Sequence, residues 1–104
     1  VEAGADLIAG NHPHWIQPIE IYQAKLIIYA HGNFIFDQEW SKKTKTGIVG
    51  KHTFYQKKLI DSRFFPVFIN DYSQPEFLKG EEKEEVLQEL KKTSLQLKNI
   101  LSRN

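Results

Sequence analysis

The hydrophobic period of this chain changes near residue 80, and that change limits the folds open to it. Up to Pro75 the apolar residues form short runs or alternate with polar ones, the two-residue repeat of β-strands. From Glu81 to about Ser102 they recur at helical spacing. Val86, Leu87, Leu90, Leu97 and Leu101 fall on one stripe, with Ile100 at its border and Leu95 off it. Glu81, Glu82, Glu84 and Glu85 lead the segment, and Lys91, Lys92, Lys98 and Arg103 follow, which complements a helix dipole. Strands followed by one helix predict an α/β (α+β) architecture, divided into a strand-rich portion over 1–78 and an amphipathic helix over 79–104. The helix is expected to pack on its own sheet or on a further part of the same protein. At 104 residues this is at most one small domain.

Within the strand-rich portion, Asp6 to Gly10 reads as a short buried strand. Ile19–Tyr22 and Lys25–Ala30 read as a hairpin turning at Gln23-Ala24. Gln38 to Lys45 is polar and cation-rich, as expected of a mobile surface loop. Gly47–Tyr55 and Leu59–Ile69 read as a second antiparallel pair joined by Gln56-Lys57-Lys58, with Pro66 implying an edge position or a bulge. Asn70 to Pro75 has turn chemistry.

A net charge of +1 offers no field for recruiting nucleic acid or an anionic membrane surface, so no nucleic-acid partner is expected. Without cysteine there is neither a disulfide framework nor a thiolate metal site, and any metal must rely on His, Asp, Glu or Asn. No apolar run is long enough to span a bilayer, and no signal peptide is visible. The chain has no methionine, and Val1 to Asp6 reads like a helix end entering a strand, with Gly4 near the C-cap. On these grounds the chain is expected to be the C-terminal part of a longer protein.

Chemistry concentrates in two blocks. Gly10-Asn11-His12-Pro13-His14 leaves the first strand with two imidazoles one residue apart, the side-chain type that most often binds catalytic divalent metals. In extended backbone both rings would face one side, and Pro13 disfavours helix at His12. The competing interpretation is a polar turn filled by His12, with His14 on the surface. Asn11 allows a third, in which Gly-Asn-His is a metal-binding segment with the amide as ligand. In the second block, Ala30-His31-Gly32-Asn33-Phe34, the glycine either lets the backbone approach a ligand or marks a bulge that re-aims the strand. Asn33 offers both donor and acceptor. Asp37 is a candidate cation ligand or a solvated turn residue, and His52 reads as structural or exposed. No serine sits in a nucleophile-elbow setting. Lys42, Lys43 and Lys45 read as a solvated loop rather than a polyanion site.

The order of these blocks resembles the bacterial poly-γ-glutamate capsule-synthesis (CapA-type) family, itself similar to the calcineurin-like metallophosphoesterases. The similarity runs from Gly4-Ala5-Asp6-Leu7-Ile8 through Gly10-Asn11-His12-Pro13-His14, Gln17-Pro18-Ile19-Glu20-Ile21-Tyr22 and Lys25-Leu26-Ile27-Ile28-Tyr29 to Gly32-Asn33-Phe34-Ile35-Phe36-Asp37. It continues more loosely from Thr46 to Pro75. The resemblance implies the C-terminal part of a metallophosphoesterase-like β-sandwich, with His12 and His14 as ligands of a dinuclear Mn, Fe, Zn or Mg centre. Asn11, Gly32, Asn33 and Asp37 then stand as substrate-binding or supporting residues without an assigned role. His31 departs from the leucine expected there, and Asn11 from a more usual Ser or His. The family's upstream Asp-x-His and Gly-Asp elements do not occur in this chain, and its Gly-Asn-His, Gly10-Asn11-His12, falls in the block that matches the family's late His-x-His element, not an upstream one. The implied function is therefore part of a metal-dependent phosphoesterase-like hydrolase in capsule or other extracellular polymer biosynthesis, with this segment inactive alone. The alternative is a non-catalytic binding or assembly module on a degenerate form of the fold. Implied partners are the preceding portion of the same protein and membrane components of the capsule machinery. The implied location is the cell envelope or the outer face of the membrane.

Overall fold

The hairpins form where the alternating pattern places them, and each closes on a two-residue turn. In the computed structural model, which describes residues 1–103, strands β2 (Ile19–Tyr22) and β3 (Lys25–Ile28) pair antiparallel across Gln23-Ala24. Strands β4 (Thr46–Tyr55) and β5 (Lys58–Asn70) do the same across Gln56-Lys57. All four turn residues have positive φ, from 47° to 67°, the backbone twist that matches a tight hairpin. Strand β1 (Leu7–Ala9) runs parallel to β3, and β6 (Gln74–Phe77) pairs with the end of β5. Helix α1 (Gly80–Ser102) completes the chain.

Two three-stranded sheets result, ordered β1-β3-β2 and β4-β5-β6. They are stitched together by the segment after β3. His31 pairs with Ile16 and its carbonyl accepts from the Ile48 N–H at 2.8 Å, while Gly32 pairs with Gly47. Helix α1 lies against both sheets, touching β2 and β5, and the Ser94 hydroxyl accepts from the Ile19 N–H at 3.0 Å. Ile28, Ala30, Ile48, Val67, Ile69 and Leu90 form the buried core, so the seam between the sheets and the middle of the helix are its driest parts. The mixed α+β class expected from the changing period is the one observed.

Several details differ from expectation. Strand β1 lies at a sheet edge rather than inside it, and Ala9 is exposed. Val1 to Asp6 holds a turn closed by the Gly4 N–H on the Val1 carbonyl at 2.9 Å. Pro66 is fully buried in the central strand β5, opposite Ile48, and the irregularity in that ladder falls at Thr53/Phe54 instead. Its missing N–H costs little because of its orientation. The Ile69 N–H points to the β4 side, onto the Lys45 carbonyl, so residue 66 faces the other way. There β6 has already stopped at Phe77, and only the Pro66 carbonyl is used, by the Leu78 N–H. The turn expected over Asn70 to Pro75 is shorter, and Pro75 belongs to edge strand β6. Residues 38–45 are not a loose loop: Thr44 is buried and bonds to the Gln38 and Ser41 carbonyls. The helical stripe is buried only in its middle, at Leu90, while Ile100 and Leu101 are exposed.

Candidate functional site

The histidine loop begins where β1 runs out of room. The Gly10 N–H still bonds to the Ile28 carbonyl at 2.6 Å, and a Cβ at Gly10 would collide with the Tyr29 carbonyl. Only glycine lets the chain leave the sheet at this point. His12 follows with φ +106°, a conformation that is strained for any side-chain-bearing residue. The loop is therefore not the simple extended run expected, yet the His12 and His14 rings still lie close, with centroids 6.4 Å apart and planes tilted 51°.

His14 is held from the second block. Asn33 is buried, and its Nδ2 donates to the Thr44 carbonyl and to Gln38 Oε1, both at 2.9 Å. A backbone carbonyl only accepts, so the amide orientation is fixed and Asn33 Oδ1 faces His14 Nδ1 at 2.9 Å. His14 must then carry its proton on Nδ1, which leaves Nε2 with an open lone pair whenever the ring is neutral. Phe36 packs on the same ring, with centroids 4.9 Å apart. Metal-bound histidines are commonly oriented in this way, the distal nitrogen donating to a fixed acceptor.

The position of Asn33 depends in turn on two glycines. Gly32 has φ +78°, and a Cβ there would stand 2.8 Å from the Thr46 carbonyl oxygen. A Cβ on Gly47 would strike the Asn33 carbonyl. Gly32 thus serves a close crossing of two backbones.

The structure brings His12, His14 and Asn33 together and places Gly32 beneath them. It leaves Asn11 and Asp37 exposed, with no side-chain hydrogen bond among the described residues. Gln38 and Thr44 support the site and were not singled out from sequence. Their part depends on a carbonyl and a side chain meeting across a turn, which no residue pattern announces. His52, expected to be structural or exposed, is half-buried, with Nδ1 at 2.8 Å from Ser62 Oγ. As a donor set, two imidazoles suit a divalent transition-metal ion in kind, and one of them has its tautomer preset. Among the described residues no group of three or more His, Cys, Asp or Glu side chains surrounds a metal-sized space.

Comparison with known proteins bears on the same segment. Residues 1–38 match the family described as bacterial capsule synthesis protein PGA_cap. Over this N-terminal segment, the chain is similar to the bacterial capsule synthesis (CapA-type) family. The chain is 47% identical over 51 residues to the PGA biosynthesis protein CapA of Bacillus subtilis (strain 168), a match covering 49% of this chain and 13% of that protein. It is 44% identical over 52 residues to the capsule biosynthesis protein CapA of Bacillus anthracis, covering 50% of this chain and 13% of that one. An uncharacterized protein of Sinorhizobium fredii, y4sH, is 46% identical over 37 residues, 36% of this chain and 8% of its own length. The chain thus aligns with about an eighth of the Bacillus capsule proteins. The family segment ends one residue past Asp37, so it contains both blocks and stops before β4.

Proposed function

We propose that this chain carries part of the metal site of a phosphoesterase-like hydrolase in capsule (poly-γ-glutamate) or other extracellular polymer biosynthesis. One observation carries the reading: a buried, fully bonded Asn33 holds His14 with Nδ1 protonated and Nε2 open. An amide pinned on both Nδ2 hydrogens to hold a half-exposed imidazole is more than a polar turn needs. His12 and His14 would hold the metal, and Asn33 would orient His14. A bound divalent pair supplies Lewis acidity toward a phosphoryl group. The protein's share is to present His14 in a fixed direction, with the His12 ring close beside it. The remaining ligands are proposed to come from other parts of the same protein. The similarity to the Bacillus capsule biosynthesis proteins supports capsule biosynthesis as the process, and the cell envelope is the location we propose with it. Among the described residues no helix is long and apolar enough to cross a membrane.

The test is hydrolysis of bis(p-nitrophenyl) phosphate with added Mn²⁺ by the full-length protein that bears this segment. His12→Ala and His14→Ala are expected to reduce turnover to background, and Asn33→Ala to lower metal affinity about 10–100-fold. Full activity in His14→Ala would contradict the metal role. An inert but folded protein that still binds capsular polymer would favour a non-catalytic assembly module. The 104-residue chain alone is expected to show no turnover. Turnover by it that both histidine substitutions abolish would contradict that expectation.

A further inference from the structure

A second pair of imidazoles lies outside the histidine loop. His31 Nδ1 is 3.0 Å from the Gly10 carbonyl oxygen. That carbonyl only accepts, so Nδ1 bears the proton and Nε2 is left as an acceptor. His52 Nδ1 meets Ser62 Oγ at 2.8 Å across the β4–β5 ladder, where His52 and Ser62 are register partners. Each ring is thus fixed through its Nδ1, and both Nε2 atoms turn toward the face of Gly50. The position a Cβ would take on Gly50 lies 2.7 Å from His52 Nε2 and 3.6 Å from His31 Nε2. No donor among the described residues bonds to either atom. With the Ser62 hydroxyl accepting from His52 Nδ1, as the carbonyl does from His31, Gly50 leaves a cradle open where two Nε2 lone pairs converge. Phe64, opposite Gly50 in the ladder, sets its ring edge-on to His52, with centroids 6.0 Å apart, and stiffens one wall.

We infer that His31 and His52 form a two-imidazole site over Gly50 for a borderline divalent cation of the Zn²⁺, Ni²⁺ or Cu²⁺ class. Imidazole nitrogens prefer these ions to Mg²⁺ or Ca²⁺. The anchored Nδ1 atoms provide the outer shell that such ligands require. Burial first, and then the proximity of His31, holds the His52 imidazole below its ordinary value of 6.5, so the ring is neutral and able to ligate at neutral pH. Water completes the coordination, which makes this an open site of modest affinity. A cation here would clamp the segment after β3 to the middle of β4 and so tie the two sheets together next to their seam.

The experiment is a titration of the metal-stripped full chain with ZnCl₂, followed in ¹H–¹⁵N spectra of the imidazoles. The His31 and His52 Nε2 resonances are expected to shift together and saturate at the same zinc concentration. His12→Ala/His14→Ala should leave that response unchanged. Ser62→Ala should weaken it about 10-fold or more, as loss of an outer-shell partner does. Gly50→Ala keeps both rings and fills the cradle, so the joint response should be lost while the backbone amide spectrum remains that of the folded protein. Independent saturation of the two rings, no response in a folded chain, or a response that disappears with His12 and His14 would overturn the proposal.

Discussion

At the scale of single residues, Asn33 matters most. Its side chain is buried and joins three parts of the chain: the histidine loop, Gln38 and the Thr44 carbonyl. Asn33→Ala leaves the Thr44 carbonyl without this partner and frees the His14 ring, so we expect about 1–3 kcal/mol of destabilisation in denaturant melts. The two crossing glycines set a sterner limit. Gly47→Ala drives a methyl into the Asn33 carbonyl, and neither backbone can retreat without breaking the Gly32–Gly47 bridge. A loss of about 1–3 kcal/mol, read in the same melts, is the expected overpacking cost. The histidines themselves were legible in the sequence, because residue type and spacing carry that signal. The function of Asn33 was not, since it depends on a contact between residues 19 positions apart and on a carbonyl that any residue could supply.

At the scale of elements, periodicity predicted both hairpins and the helix but misplaced what depends on neighbouring strands. Proline is confined to edges only where both sides of a strand are paired. Beyond Phe77 the β6 side uses only the Pro66 carbonyl, which accepts from the Leu78 N–H, so a buried proline in a central strand breaks no ladder bond. Strand β6 was unreadable because its four residues, Gln74–Phe77, include a proline and lie in turn-like sequence; pairing with β5 alone makes it a strand. In helix α1 the apolar stripe gave the period and not the extent of contact. Leu90 is 6% exposed and Leu101 45%. Leu90→Ala should therefore cost about 2–5 kcal/mol, and Leu101→Ala should stay within about 0.5 kcal/mol; thermal melts of the two variants separate them. At the start of the β1–β3 pair, a hydrogen bond from Lys25 and its charge hold the Asp6 carboxyl below its ordinary value of 3.8. The folded state therefore releases this proton more readily than the unfolded chain. The pair's contribution is present above 3.8 and disappears as pH falls through the lowered folded value. Because both groups face solvent, the effect is small. Acid titration of stability should be slightly flatter in Asp6→Asn than in the parent chain.

At the scale of the whole molecule, the sheets, the seam and the site form one arrangement. The backbone crossing at Gly32 and Gly47 joins the sheets and also places Asn33 under His14. The family segment, residues 1–38, includes Gly32 and Asn33, while the strand that completes the crossing, β4, lies beyond. The order of blocks in the sequence was enough to indicate the family likeness, and the change of period the mixed fold class. The partition into two sheets was not, because it follows from where residues 30–47 cross and not from any local pattern. In the proposed metal role, this crossing presents His14 to a divalent ion through Nε2. Paramagnetic broadening by Mn²⁺ of the His14 imidazole signals, compared between the parent chain and Asn33→Ala, tests it most directly. Selective broadening of His14 and His12 at low Mn²⁺ is expected in the parent chain, with about 10–100 times more Mn²⁺ needed in Asn33→Ala. Equal broadening of His14 in both proteins would contradict it.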